Sequence, residues 1–269
     1  MTTKLVICDI DATLVNEKKE LTPRTKKDLI QLHEKGIYFG IASGRPADEL
    51  KRNKEYWDLP FEFDFVVGMN GAELWDGVHQ KFYSYFMMKK EWLKETMEIM
   101  KVVKCNPMIY WDGKIRCVHI DDWMIHSAST SHKELEVVKL EDFYAHENAK
   151  IMFRMKEEDM PKAEAWVKEH PNPYYHGFKT QSTLLEFCDK RINKGYGLQK
   201  ICELNDLDIK DVMAFGDTSN DNDMLKVAGC GVCMINGTDD TKACANAITK
   251  QDNDHDGLAI YLEESGILC

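Results

Sequence analysis

The sequence predicts an α/β protein in which a Rossmann-like parallel-sheet core is interrupted by an inserted α+β module. Three observations support this. Short aliphatic runs at Leu5-Val6-Ile7, Ile37–Ala42 and Phe63–Val67 alternate with helical stretches, the rhythm of strand–helix–strand units with right-handed crossovers. After residue 73 hairpin signals replace that rhythm, and from Asn193 it resumes. The expected division is therefore a core of residues 1–84 plus 188–269 and an inserted module of residues 85–187. A chain of 269 residues with 43% hydrophobic and 30% charged residues is long enough to fill two such domains.

The first strand, Leu5-Val6-Ile7, runs into Cys8-Asp9-Ile10-Asp11-Ala12-Thr13-Leu14. It reads as a buried parallel strand delivering carboxylates to its C-terminal edge, where open α/β sheets bind ligands. Side chains alternate along a strand, so Asp9 and Asp11 can project to one side. Carboxylates that close repel unless one is protonated or a cation lies between them, and a hard divalent ion such as Mg²⁺ suits oxygen ligands. Taken alone, the pair also fits a turn in which Asp caps backbone amides.

Thr22 and Pro23 open the first helix as N-cap and first helical residue; Leu29, Ile30 and Leu32 give its apolar face, and Gly36 ends it. The second strand, Ile37–Ala42, finishes in Ser43-Gly44-Arg45-Pro46. A helix is expected over Asp48–Tyr56, then the third strand, Phe63–Val67, followed by Met69-Asn70-Gly71-Ala72. Hairpins are expected to turn at Asp76-Gly77 and Asp112-Gly113, with a helix over Lys89–Lys104 between them. Lys150–Met155 reads as a strand, Met160–Glu169 as a helix and Leu184–Cys188 as a strand. Trp92, Trp111, Trp123 and Trp166 read as core and interface aromatics of this module. The core then continues with a helix from Lys194, a strand over Asp211–Phe215, and Gly216-Asp217-Thr218-Ser219-Asn220-Asp221. A helix over Asn222–Ala228, a strand over Gly231–Met234 and a helix over Gly257–Glu264 close it.

With 35 Lys+Arg against 46 Asp+Glu, the net charge of −11 argues against a nucleic-acid backbone binder, although a local pocket can still be positive. No apolar run is long enough for a membrane helix, and the N-terminus lacks a basic-then-apolar signal, so a cytoplasmic protein without membrane partners is expected. The nine cysteines are odd in number and scattered, which favours reduced thiols. Cys230-x-x-Cys233 lies in an apolar run without a second pair, so neither a redox nor a zinc role is assigned to it.

Four clusters need one explanation: Asp9-x-Asp11, Ser43-Gly44-Arg45, Lys194, and Asp217 with Asn220 and Asp221. They supply a carboxylate nucleophile, a hydroxyl with a backbone donor, a fixed cation and a second acidic site, the set phosphoryl transfer needs. Individually, Ser43 could cap a helix, Lys194 could lie on the surface, and Asn220 and Asp221 could be N-caps. The joint pattern overrides those readings for Ser43, Lys194 and Asp217. Arg45 is read as a solvated or structural ion-pair residue rather than a catalytic one, a reading that the joint pattern overrides only in part.

With these motifs, the sequence resembles the haloacid dehalogenase (HAD) superfamily, specifically its Cof-like, type IIB hydrolases, over nearly the whole chain. Asn70-Gly71-Ala72 and Asp256-Gly257 belong to the match, and Gly216–Asp221 is its most specific motif. The resemblance implies a HAD fold with a cap that excludes water and selects substrates, and a Mg²⁺-dependent phosphatase of small phosphorylated metabolites, sugar phosphates foremost. It implies that Asp9 is the phosphorylated nucleophile and a metal ligand. Asp11 would be the general acid/base, with its main-chain carbonyl on the metal. Asp217 would be the acidic metal ligand, and Asp221 would support the metal's water shell. Ser43, Gly44 and Lys194 would hold the phosphoryl group, and Asn220 would contact it or orient its neighbours. A monomer or small homo-oligomer is expected. His119, Asp121, Asp122, Trp123 and His176 are candidate specificity residues of the cap.

The family usually has Gly where this chain has Ala12. A negative φ there would make the methyl group harmless; a positive φ would strain the backbone by about 1 kcal/mol and could lower activity. Two other functions share the fold. A phosphomutase would need clustered basic residues in the cap, which are not evident. A non-catalytic phosphometabolite-binding protein is disfavoured by the intact Asp9/Asp11 pair. A dehalogenase proper needs no second Asp or metal-ligand set.

Overall fold

The computed structural model describes residues 3–269 and divides them into two compact units, residues 3–83 with 193–269, and residues 84–192. In chain order the first unit begins with β1 (Leu5–Asp9), α1 (Pro23–Glu34), β2 (Tyr38–Ala42), α2 (Ala47–Leu50), α3 (Asn53–Tyr56), β3 (Phe65–Gly68), β4 (Glu73–Asp76) and β5 (Lys81–Ser84). The second unit holds α4 (Lys90–Ile99), β6 (Cys105–Trp111), β7 (Lys114–Cys117), α5 (Asp122–Ser131), β8 (Leu135–Val137), β9 (Lys150–Met155), α6 (Met160–Glu169), β10 (Tyr175–Gln181) and β11 (Leu184–Asp189). The first unit resumes with α7 (Lys194–Leu204), β12 (Val212–Gly216), α8 (Asn222–Val227), β13 (Cys230–Cys233), α9 (Asp239–Cys244), β14 (Ala247–Ile248) and α10 (Gly257–Glu264).

The first unit is built on a sheet of order β14-β13-β12-β1-β2-β3-β4-β5, parallel from β14 to β3 and antiparallel between β3 and β4. Its middle strand, β1, is fully buried from Leu5 to Cys8, as a strand covered on both faces should be. Cys8 pairs with Phe215 on one side and Ile41 on the other, so the ends of β1, β2 and β12 lie together at one edge. The opening of α1 follows its sequence signal: Thr22 Oγ1 accepts from the Thr25 amide, Pro23 is the first helical residue, and Gly36 takes φ +71°. The helix expected over Asp48–Tyr56 is two single turns, α2 and α3, broken at Lys51–Arg52. Leu50, Asn53 and Trp57 are nonetheless all buried, at spacings of three and four that keep one face inward.

The second unit has a sheet of order β10-β11-β9-β6-β7-β8, antiparallel except between β7 and β8. Successive residues of β9 serve opposite faces: Ile151, Phe153 and Met155 join Leu185 and Phe187 in one apolar cluster, while Met152 joins Met108, Leu184 and Met124 of α5 in another. Asp112 and Gly113 turn the β6–β7 hairpin with φ of 49° and 71°, as a two-residue primed turn requires. The expected end of the module at residue 187 falls inside β11. The chain stays with this unit to Ile192, and the Arg191 guanidinium lies 3.6 Å from the Phe86 ring centroid. The nine cysteines are unpaired; Cys269 is exposed and Cys105, Cys230 and Cys244 are partly so. No helix among the described residues is long and apolar enough to cross a membrane.

Candidate active site

Beyond Asp9 the chain turns sharply, with the amides of Leu14 and Val15 both donating to the Ile10 carbonyl at 3.0 and 3.1 Å. This turn requires φ +60° at Ala12. It is tied down by Asn236 Nδ2, which donates to the Ala12 carbonyl at 2.8 Å, and by the buried Thr13 hydroxyl, which donates to Asp217 Oδ1 at 2.8 Å.

Lys194 enters from the first turn of α7, whose N-cap Asn193 accepts from the Tyr196 amide at 2.7 Å. Its side chain is fully buried and donates to Asp9 Oδ1 and to Asp221 Oδ1, the latter at 2.6 Å. The other oxygen of Asp221 accepts from the amides of Asp217 and Thr218 at 3.0 and 3.1 Å. Asp221 is thus both the cap of its own loop and a partner of the lysine.

Carboxylate oxygens of Asp9, Asp217 and Asp221, all buried, lie within 4.8 Å of one another. Three carboxylates against one ammonium leave an excess of negative charge, costly in a low-dielectric interior. Burial pushes Asp9 well above the usual carboxylate range, Lys194 acting against it, and lifts Asp217 to about 6. Burial alone would lower Lys194; Asp221 and Asp9 more than reverse this and hold it charged. An oxygen-only donor set with surplus negative charge fits a hard divalent cation such as Mg²⁺.

Asp11 is in a different environment. Its two oxygens take Lys19 Nζ at 2.7 Å and Arg45 Nη2 at 2.8 Å. Burial works to raise its pKa, but Arg45 and Lys19 prevail and the carboxyl stays below its usual range. Of the two readings the sequence left for Arg45, solvated or ion-paired, the structure shows the ion pair, with the candidate acid/base as its partner. Ser43 is buried, its amide bound to the Val67 carbonyl at 2.8 Å, and its hydroxyl accepts from the Arg45 amide at 3.4 Å within the loop; α2 has Pro46 as its N-cap and no side-chain cap bond, so Ser43 does not cap that helix. Gly44 follows it at the end of β2. Asn220 is exposed and accepts from the Thr218 hydroxyl at 2.7 Å.

Sequence reasoning gave no role to Thr13, Lys19 or Asn236. Thr13 was legible as part of Asp-x-Asp-x-Thr; Lys19 and Asn236 carry no local signal. Among the cap candidates, Asp121 has a structural role, capping α5 through the Met124 amide at 2.8 Å and accepting from Asn106 Nδ2 at 2.9 Å. His119 lies 3.4 Å from Asp121, and His176 Nε2 lies 3.4 Å from the Cys188 thiol. Asp122 and Trp123 open α5, exposed and half-buried respectively.

The sequence model of the haloacid dehalogenase-like hydrolases matches residues 6–262. The chain belongs to this family. It is 26% identical over 264 residues to the 5-amino-6-(5-phospho-D-ribitylamino)uracil phosphatase YitU of Bacillus subtilis, covering 97% of this chain and 96% of that one. A haloacid dehalogenase-like hydrolase from Bacteroides thetaiotaomicron superimposes with a TM-score of 0.87 at 25% identity, over 98% of this chain and all of that one. A HAD subclass IIB sugar phosphatase shares the fold with a TM-score of 0.83 at 22% identity, covering 98% and 100%. The chain is a HAD phosphatase, a phosphoric monoester hydrolase.

Proposed function

We propose that this chain hydrolyses small phosphorylated metabolites with a polyol or sugar leaving group, through an aspartyl-phosphate on Asp9 and with Mg²⁺ as cofactor. The observation that carries this reading is the buried group of Asp9, Asp217 and Asp221 around Lys194, with Asp11 held apart by its own cations. Asp9, Asp217 and Asp221 would hold the metal. The ion would neutralise the transferring phosphoryl group and the carboxylates around it.

Asp9 attacks phosphorus as the alcohol oxygen leaves, forming one O–P bond while another breaks. Lys194 orients the Asp9 carboxylate beforehand and balances charge on the phosphoryl oxygens during transfer. Ser43 and the Gly44 amide hold those oxygens in line. Asp11 gives a proton to the leaving oxygen and then takes one from the water that cleaves the acyl phosphate, so protons balance over the cycle. Held by Arg45 and Lys19 it is ionised, so protonating the leaving oxygen requires it to take up a proton and exchange those cations for substrate. The inserted unit acts as the cap that selects the leaving group. The leaving-group class rests on the relative named for a ribityl phosphate ester.

The test is phosphate release from polyol phosphates, sugar phosphates, nucleotides and p-nitrophenyl phosphate, with Mg²⁺ and with EDTA. Mg²⁺-dependent release, strongest on polyol or sugar phosphates, is expected. Ligand binding without turnover would replace the enzyme reading by the binding-protein one.

A further inference from the structure

Asp11 is held by two cations that differ in how they can let go. Lys19 Nζ sits on Oδ1 at 2.7 Å and Arg45 Nη2 on Oδ2 at 2.8 Å. The Lys19 side chain is 62% exposed and can swing into water at little cost. The Arg45 side chain is 31% exposed, and a half-buried guanidinium that gives up its carboxylate needs another partner. One stands beside it. The other terminal nitrogen, Nη1, lies 4.0 Å from Oε1 of Glu49, four residues further on. That is too long for a hydrogen bond and short enough for a change of side-chain torsion to close.

Both ends of this arrangement are fixed, and the Arg45 side chain is the part free to turn. The Arg45 carbonyl accepts from the Met69 amide at 2.8 Å, and Pro46 restricts the backbone that follows. α2, which carries Glu49, is seated by the Ala47 amide, which donates to Glu73 Oε2 at 2.9 Å. It also packs directly on the end of β3, where a Cβ on Gly68 would lie 2.5 Å from the Ala47 nitrogen. Glu49 is buried, where the attraction of a cation is least screened. We propose that Glu49 is a positioning residue, which receives the Arg45 guanidinium when the leaving oxygen of the substrate takes its place on Asp11 Oδ2. The exchange trades one carboxylate partner for another, so Asp11 opens without stranding a half-buried cation. This rests on the phosphatase reading with Asp11 as proton donor, and it names the residue through which Asp11 is released.

The experiment compares kcat/KM for D-ribitol 5-phosphate and p-nitrophenyl phosphate with Mg²⁺. The polyol leaves only with a proton, whereas p-nitrophenolate leaves without one, so the ratio of the two constants reports how readily Asp11 reaches the leaving oxygen. Glu49→Gln keeps the size of the side chain and removes its charge. It is expected to lower the ratio about tenfold, the size of a coupling between neighbouring charged groups. Arg45→Ala removes the guanidinium, so adding Glu49→Gln to it is expected to leave the ratio where Arg45→Ala alone puts it. A purely structural role for Glu49 would lower both esters alike, and that result overturns the assignment. So does a Glu49→Gln effect of the same size with and without Arg45. A wild-type chain that turns over neither ester overturns the phosphatase reading itself, whereas a wild type active on both with an unchanged ratio in Glu49→Gln overturns this inference alone.

Discussion

Replacing Ala12 by Gly is expected to stabilise the protein, against the usual penalty for introducing glycine. Ala12 has φ +60°, where an L-residue's Cβ crowds the following carbonyl at a cost of about 1–2 kcal/mol. Glycine removes that cost, but the unfolded chain gains entropy worth about 0.4–1 kcal/mol. The methyl group is only half-buried, so little apolar burial is lost. The balance is a gain of about 0.5–1 kcal/mol, or a Tm higher by roughly 1–4 °C for a domain of this size. The surrounding contacts survive the change, because the Asn236 bond goes to the residue's carbonyl and the Thr13–Asp217 bond lies next to it. Calorimetry of both proteins in EDTA is the assay, with phosphate release as a parallel readout of whether the strain also limits turnover. A Tm lowered by about 1 °C or more would refute the reasoning, because it would mean that the turn does not hold position 12 in the left-handed region.

Asp9→Asn is expected to abolish phosphate release while keeping the wild-type circular dichroism spectrum; full activity would remove the covalent mechanism. Lys194→Met leaves three buried carboxylates without their cation, so unfolding in urea with EDTA at pH 7 should show a loss of about 3–5 kcal/mol. Mg²⁺ should recover more stability in that variant than in the wild type, and a loss below about 1 kcal/mol would contradict a charge-balancing lysine. Asp28, buried in α1, is pushed up to about 6 by burial and by Glu263. A raised carboxyl binds its proton more tightly in the folded state than in the unfolded chain, so its share of stability falls as pH rises from about 4 to 6 and stays lost above. Asp28→Asn should therefore be more stable than wild type by up to about 3 kcal/mol at pH 8 and nearly equal to it below pH 4. Urea titrations at both pH values decide; a variant less stable at pH 8 would show that the charged form is favoured in the fold.

The fold and the candidate site were legible to different depths, for physical reasons. β9 and α6 have the boundaries read from sequence because each pairs a clear hydrophobic pattern with punctuation, such as Pro161 in the first turn of α6. The strand β10 went unread because Tyr175–Gln181 is a mostly exposed edge strand whose polar residues give no alternation, and α5 because His, Ser and Thr dilute its apolar face. α9 and β14 are too short for periodicity to register. In the site, Asp9 and Lys194 are 185 residues apart, yet both were readable because each follows a strand-end or helix-start signal, and the order β12-β1-β2 brings such ends to one edge. The backbone conformation of Ala12 and the cation pair on Asp11 were not readable. Both depend on how the loop between β1 and α1 closes, and a loop's closure is fixed by partners distant in sequence, here Asn236 and Arg45. The Asp11 clamp therefore carries information the motif lacks. Asp-x-Asp names a possible acid, whereas the clamp holds the Asp11 carboxyl below its usual range, so in the proposed mechanism the acid form would arise only as substrate takes the place of Arg45 and Lys19.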